Sequence, residues 1–155
     1  MKTAMDILED KGEGIVSVPV DSTIYDAVKL MVEKGIGAIM IRDGDDYLGI
    51  WTERDLMWNV LEPDFDFKKA LIRDYMITEL KCAPHTDTIY QLLDKLLGLR
   101  IRHLIIQKEG KHIGLISKRD ITRAVLVKKS NEYEKLNKIV SWDYYEDWKW
   151  KKKKK

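Results

Sequence analysis

A single cysteine, Cys82, occurs in 155 residues, so no intrachain disulfide can form and a reducing compartment is expected. His85, His103 and His112 are the only histidines, and with Cys82 they show no metal-ligand spacing; no metal is expected. No run reaches the roughly 18 apolar residues needed to span a bilayer. Acidic residues interrupt the first 13 positions where a signal peptide wants apolar ones. A cytoplasmic protein without a membrane span is the expectation. There is no phosphate-binding glycine loop, and no nucleophile, base and acid set with a supporting third group, so an enzyme is not expected. Asp43-Gly44-Asp45-Asp46 lacks the length and final glutamate of a calcium loop and reads as a turn. An excess of one charge is missing too. The net charge of +2 comes from the end of the chain: residues 141–155 hold six lysines against three acids, and residues 1–140 carry 22 basic and 23 acidic groups.

What is present is a repeat. Gly49-Ile50-Trp51-Thr52-Glu53-Arg54-Asp55 is answered 65 residues later by Gly114-Leu115-Ile116-Ser117-Lys118-Arg119-Asp120. The offset holds without a gap from Pro19/Pro84 through Thr23/Thr88, Tyr25/Tyr90 and Ile41/Ile106. One unit is written twice. With 35% charged and 45% hydrophobic residues, the composition is that of a globular protein.

Each copy predicts strand, helix, strand, turn, strand, helix, a mixed α/β pattern. Residues 1–14 read as a short polar lead-in. Ile15 to Val18 suits an edge strand stopped by Pro19. Asp21-Ser22-Thr23, with Asp26 three residues beyond Thr23, marks a helix start. Ile24, Ala27, Val28, Met31 and Val32 share its buried face. Ala38 to Ile41 and Tyr47 to Trp51 read as a hairpin, and Thr52 as the cap of a helix through Leu61 with Leu56, Trp58 and Val60 inward. Phe65 to Ile72 reads as a linking helix. In the second copy the helix Thr88 to Leu99 buries Ile89, Leu92, Leu93, Leu96 and Leu97, and the last begins at Ser117. A further helix is expected from about Asn131, carrying Tyr133, Leu136, Ile139, Val140 and Tyr144 before the aromatic, lysine-rich end. The expected divisions are 1–64, 65–129 and a tail of 130–155. At about 60 residues neither half buries enough surface to stand comfortably alone. Two halves packed with pseudo-two-fold symmetry, their equivalent sites facing one cleft, are expected.

The proline-ended strand, amphipathic helix, hairpin and Gly-apolar-apolar-Ser/Thr-x-x-Asp, present twice in one register, resemble a pair of cystathionine-β-synthase-type (CBS) domains, or Bateman module, over about residues 5 to 128. Arg102-His103-Leu104 matches a basic pair frequent in that family. The resemblance implies a regulatory module that binds an adenine nucleotide (AMP, ADP or ATP, with S-adenosylmethionine a further candidate), needs no obligatory cofactor and forms a homodimer acting on an unidentified protein target. It implies a first site of Val16, Ser17, Val18, Gly37, Ala38, Thr52, Arg54 and Asp55, and a second of Lys81, Cys82, Ala83, Arg102, His103, Ser117, Arg119 and Asp120. Asp55 and Asp120 would hold ribose, Thr52 and Ser117 would meet ribose or phosphate, and Arg102, His103 and Arg119 would meet phosphates. The residue types agree: backbone N–H groups at a helix start suit phosphate, and arginine offers a planar donor fork.

Plainer roles stand beside these. Thr52 and Ser117 are good helix caps, and Asp55 and Asp120 good first-turn charges. A ligand-independent docking scaffold is the alternative function; a duplicated ribose carboxylate would favour nucleotide binding over it. The tail, with Trp142, Tyr145, Trp148 and Trp150 before Lys151 to Lys155, raises a third reading, a nucleic-acid or membrane adaptor, against which Asp143, Glu146 and Asp147 argue.

Overall fold

The computed structural model describes residues 1–132. The elements run α1 (Ala4–Lys11), β1 (Ser17–Pro19), α2 (Ile24–Lys34), β2 (Ala38–Asp43), β3 (Asp46–Thr52), α3 (Glu53–Asn59), a 3₁₀ turn (Ile72–Asp74), β4 (Cys82–Pro84), α4 (Ile89–Gly98), β5 (His103–Lys108), β6 (Lys111–Ser117) and α5 (Lys118–Glu132). Two three-stranded sheets result, β1-β2-β3 and β4-β5-β6, each with one parallel and one antiparallel pair. The register copies itself between them: Ser17 faces Met40 as Cys82 faces Ile105, and both hairpins shift register at the same place, Ile41/Arg42 and Ile106/Gln107. The fold is mixed α/β, as the repeat predicts.

The helix starts follow from capping chemistry. Thr23 and Thr88 sit in extended backbone, and their hydroxyls accept from the N–H of Asp26 and Gln91, whose side chains reach back to the capping N–H groups. Each such cap is worth about 1 kcal/mol. Ile24, Ala27 and Met31 of α2 enter a core with Ile39, Ile41 and Trp51, while Ile89, Leu92 and Leu96 of α4 enter another with Leu104, Ile106 and Ile116. Strand alternation sends Ala38, Met40 and Ile105 to the opposite faces, where they are also buried but belong to neither core.

Three expectations need correction. First, the polar lead-in is a helix. Thr3 caps α1 in a capping box with Asp6, and Gly12, at φ 64°, closes its end by donating its N–H to Leu8 O. Its apolar residues Ala4 and Ile7 belong to the core of the second unit, on which the isolated segment gave no information. Second, Phe65 to Ile72 is not a helix. Asp66 closes one turn, accepting from the N–H groups of Lys69 and Ala70, and Ala70 O then accepts from Ile24 N–H at 2.9 Å, which holds the chain extended beside Thr23. Phe65, Ala70, Ile72, Tyr75 and Met76 pack on the first core. Third, Val32, Leu97, Trp58 and Val60 are exposed rather than buried. In α3 the inward polar residue is Asn59, whose Oδ1 accepts from the buried Trp51 Nε1 at 3.0 Å. Apart from Asn131 and Glu132, which continue α5, the expected tail helix and the lysine-rich end lie outside the described residues. Among the described residues no helix is long and apolar enough to cross a membrane.

The exchange of lead-ins is reciprocal. Lys2 O accepts from Ile89 N–H and Thr3 pairs with Thr88, just as Ala70 O accepts from Ile24 N–H and Leu71 pairs with Thr23. The space for it is made by two glycines 65 residues apart. A Cβ on Gly49 would stand 2.5 Å from Met76 Sδ, and one on Gly114 would stand 2.4 Å from Leu8 Cδ2. Gly114→Ala is therefore expected to lower unfolding free energy in urea by about 1–3 kcal/mol through overpacking. Adding Leu8→Ala should make the pair cost clearly less than the sum of the singles; strict additivity would mean that α1 does not dock there.

Candidate functional site

Each repeated Gly-apolar-apolar-Ser/Thr-x-x-Asp runs down the last strand of a hairpin and turns into a helix, so the hydroxyl and the carboxylate meet at a strand–helix junction. Ser117 donates both its N–H and its hydroxyl to Asp120 Oδ2, each at 2.8 Å, and Asp120 N–H donates to Ser117 Oγ at 3.2 Å. Thr52 and Asp55 repeat the arrangement at 2.8, 2.9 and 3.4 Å. These are capping boxes. The same geometry joins Thr3 to Asp6, and a similar one Thr23 to Asp26, away from either of the cavities described next. The duplicated aspartate therefore has a structural task wherever it occurs, and its presence alone does not separate a nucleotide binder from a scaffold.

Asp120 lines a cleft of about 910 Å³ between the units. Its lining includes the apolar side chains of Ile15, Val16, Met31, Val32, Ile36 and Leu56. The lining also carries six lysines and arginines, Lys11, Lys34, Arg102, Lys118, Arg119 and Arg123, against Glu13, Glu53 and Asp120. Apolar side chains with an excess of cations suit a ligand with a flat apolar part and an anionic one. Lys11, which lies before the stretch over which the 65-residue offset holds and which the sequence gave no reason to single out, reaches in from the end of α1. Its Nζ donates to Leu115 O at 3.2 Å and lies 3.4 Å from Asp120 Oδ2. All of these contacts to the Asp120 side chain fall on Oδ2; among the described residues, Oδ1 has no hydrogen-bond donor of its own.

Asp55 lines a smaller cavity of about 250 Å³ with Thr52, Arg54, Gly37, Ile50, Ile77, Lys81, Arg100, Arg102 and His103. Its charges nearly cancel, and Lys81 Nζ is already engaged by Glu79 at 2.5 Å. The residues expected to form two sites are thus brought together, but in exchanged groups. Val16, Gly37 and Ala38 of the first unit join Arg102, His103, Ser117, Arg119 and Asp120 in the large cleft. Lys81 of the second unit joins Thr52, Arg54 and Asp55 in the small one. Each unit's incoming segment thus shares a cavity with the other unit's junction. Ser17, Val18, Cys82 and Ala83 line neither cavity; Val18 and Ala83 are buried in the two cores.

Burial pushes the His103 imidazole below its ordinary value, and Asp120 pulls the other way with smaller effect. Cys82, whose thiol burial pushes up, lies 3.9 Å from His112 Nε2. Among the described residues no group of three or more His, Cys, Asp or Glu is placed to hold a metal ion.

A junction repeated at a 65-residue offset, on paired three-stranded sheets with a cleft between them, can be compared with known proteins. The family model for the CBS domain matches residues 4–62 and again 72–127. The chain belongs to the CBS-domain family. It is 29% identical over 152 residues to CBS domain-containing protein CBSX3, mitochondrial, of Arabidopsis thaliana, covering 92% of this chain and 73% of that one. The fold superposes on a putative signal-transduction protein with CBS domains from Burkholderia ambifaria at TM-score 0.76 and 35% identity, covering 81% of this chain and 95% of the other. A CBS-domain containing protein from Agrobacterium tumefaciens matches at TM-score 0.75 and 30% identity, over 80% and 99%. The tandem CBS pair that the sequence resembles is the architecture present.

Because His103 titrates lower folded than unfolded, the folded CBS pair disfavours its protonation. Its contribution to stability is full above the unfolded value near about 6.5 and is lost as pH falls through the folded one. The thermal midpoint should drop on acidification below that range, and His103→Gln should flatten part of the drop. A slope unchanged by the substitution would place the acid sensitivity elsewhere.

Proposed function

We propose that this CBS pair is a non-catalytic regulatory module that binds an adenine nucleotide, AMP, ADP or ATP, in the large cleft and passes occupancy on through a change in shape or partner affinity. The carrying observation is the lining of the cleft, which combines apolar side chains, an excess of Lys and Arg, and the Asp120 carboxylate, whose hydrogen bonds fall on Oδ2 alone. The apolar side chains would take the base, Asp120 the ribose hydroxyls, and Arg102 and Arg119 the phosphates. Support from outside the chain comes from the CBS pair of protein MJ0100, which matches the fold at TM-score 0.71 and 18% identity and whose structure was solved with 5′-methylthioadenosine and S-adenosylmethionine. Those two compounds share the adenosine part with the nucleotides and carry no phosphate, so they belong in any test.

Isothermal titration and thermal shift with AMP, ADP, ATP, S-adenosylmethionine and methylthioadenosine test the reading. A ligand at 100 times its dissociation constant should stabilise the fold by about 2.7 kcal/mol. Asp120→Asn keeps an acceptor for the capping box and removes the charge, so it should abolish the shift without unfolding the protein. Asp6→Asn, the same change in a box outside the cleft, should leave the ligand shift intact. A folded wild type that responds to none of these ligands would hand the lead to the scaffold reading.

The expected homodimer would use apolar surface that the pair leaves bare. Met57 and Trp58 on α3 are each 69% exposed. Light scattering should report a dimer that Trp58→Glu dissociates; a monomer in both cases would remove self-association from the proposal.

A further inference from the structure

The two cavities share a wall. Gly37, Glu53, Arg102 and His103 border both. Gly37 and Arg102 stand 65 residues apart and hold the same place in the two units, just before β2 and β5. Their backbones do the same work: Gly37 O accepts from Glu53 N–H at 3.0 Å, and Arg102 O accepts from Lys118 N–H at 2.8 Å. Only the side chains differ. Two identical units would bring a guanidinium from each side; here one side brings none. In the first unit the space is taken by a carboxylate, since a Cβ on Gly37 would stand 3.1 Å from Glu53 Oε1. In the second unit the residue at the place of Glu53 is Lys118. His103, its imidazole kept low by burial, adds no full charge to the wall at neutral pH. Arg54 and Arg100 border the small cavity, but against them stand Glu53 and Asp55, and Lys81 is held by Glu79.

We propose that the two cavities take a phosphate-bearing nucleotide one at a time, with Arg102 as the clamp on which both draw and Gly37 as the position whose missing side chain makes them exclusive. The inference rests on the nucleotide reading of the large cleft and adds the regulation of that site. A guanidinium holding phosphate oxygens in a planar two-point grip points to one cavity or the other, not both. Occupancy of one cavity then lowers the affinity of the other, and by linkage the effect is mutual. A neutral nucleoside needs no clamp and escapes the restriction.

Calorimetric titration with ATP and with adenosine decides the matter in three proteins: wild type, Arg102→Gln, and Gly37→Arg combined with Glu53→Lys, which writes the second unit's wall into the first. The wild type should bind one ATP per chain. Arg102→Gln should weaken ATP by at least about tenfold while moving adenosine by less than about threefold, with no ATP left bound at wild-type affinity. The double variant should bind two ATP per chain. Two equal, independent ATP sites in the wild type would overturn exclusivity while leaving the nucleotide reading intact. So would an ATP site untouched by Arg102→Gln, a result that does not depend on the double variant folding. A wild type silent to both ATP and adenosine would remove the nucleotide reading and this inference together.

Discussion

Steric room at two glycines governs how the halves interlock. Gly49 and Gly114 lie on the last strand of each hairpin, and the missing side chain in each case admits a residue from the other unit's lead-in, Met76 or Leu8. With that room available, α1 covers the second sheet and the 65–76 segment covers the first, so each core is completed by chain from the opposite unit. The crossing also fixes where the junctions point. Because each lead-in is tied to the other unit's helix start, the strand-to-helix turns with Asp55 and Asp120 face across the pair, and the cavities are built from both units at once.

Capping chemistry is spread widely over this chain, and that bears on how the repeated motif is understood. Threonine or serine followed three residues later by Asp or Gln closes the first turn of every α-helix described. A carboxylate that first orients itself by accepting two donors from its own cap is held rigidly, with one oxygen turned away. At Asp6, away from both cavities, that rigidity serves the helix. Asp120 also lines a cleft, beside cations drawn from α1, α2, the residue before β5, and α5. One local device thus closes a helix in some places and, under the proposed function, would also serve recognition at Asp120.

What the sequence displayed well was everything with a short range or a strict period. The 65-residue offset, the Thr23–Asp26 box, the face of Ile24, Ala27 and Met31, and both hairpins could be read because each is defined within a few residues or by direct repetition. The misses had long-range causes. The helical α1 finds its apolar partners more than 70 residues away, so its segment looked merely polar. Phe65 to Ile72 had helical spacing, but a backbone bond from Ile24 to Ala70 overrode it. Val32, Trp58 and Leu97 followed the helical period yet fell on rims that one chain leaves open. Most of the expected site residues line one of the two cavities, but they had been grouped by unit, since nothing in the order of residues reveals that each entering segment crosses over.

That crossing makes the pair, and not the single repeat, the smallest complete unit. A half cut out at the linker would keep a sheet whose cover had gone with the other half, and would carry a lead-in with nothing to lie on. The two fragments are complements in the literal sense, each holding the other's missing piece. Co-production of residues 1–64 with 65–132 would restore both cores only by rejoining the halves, and the cleft between them would reappear at the moment of reassembly.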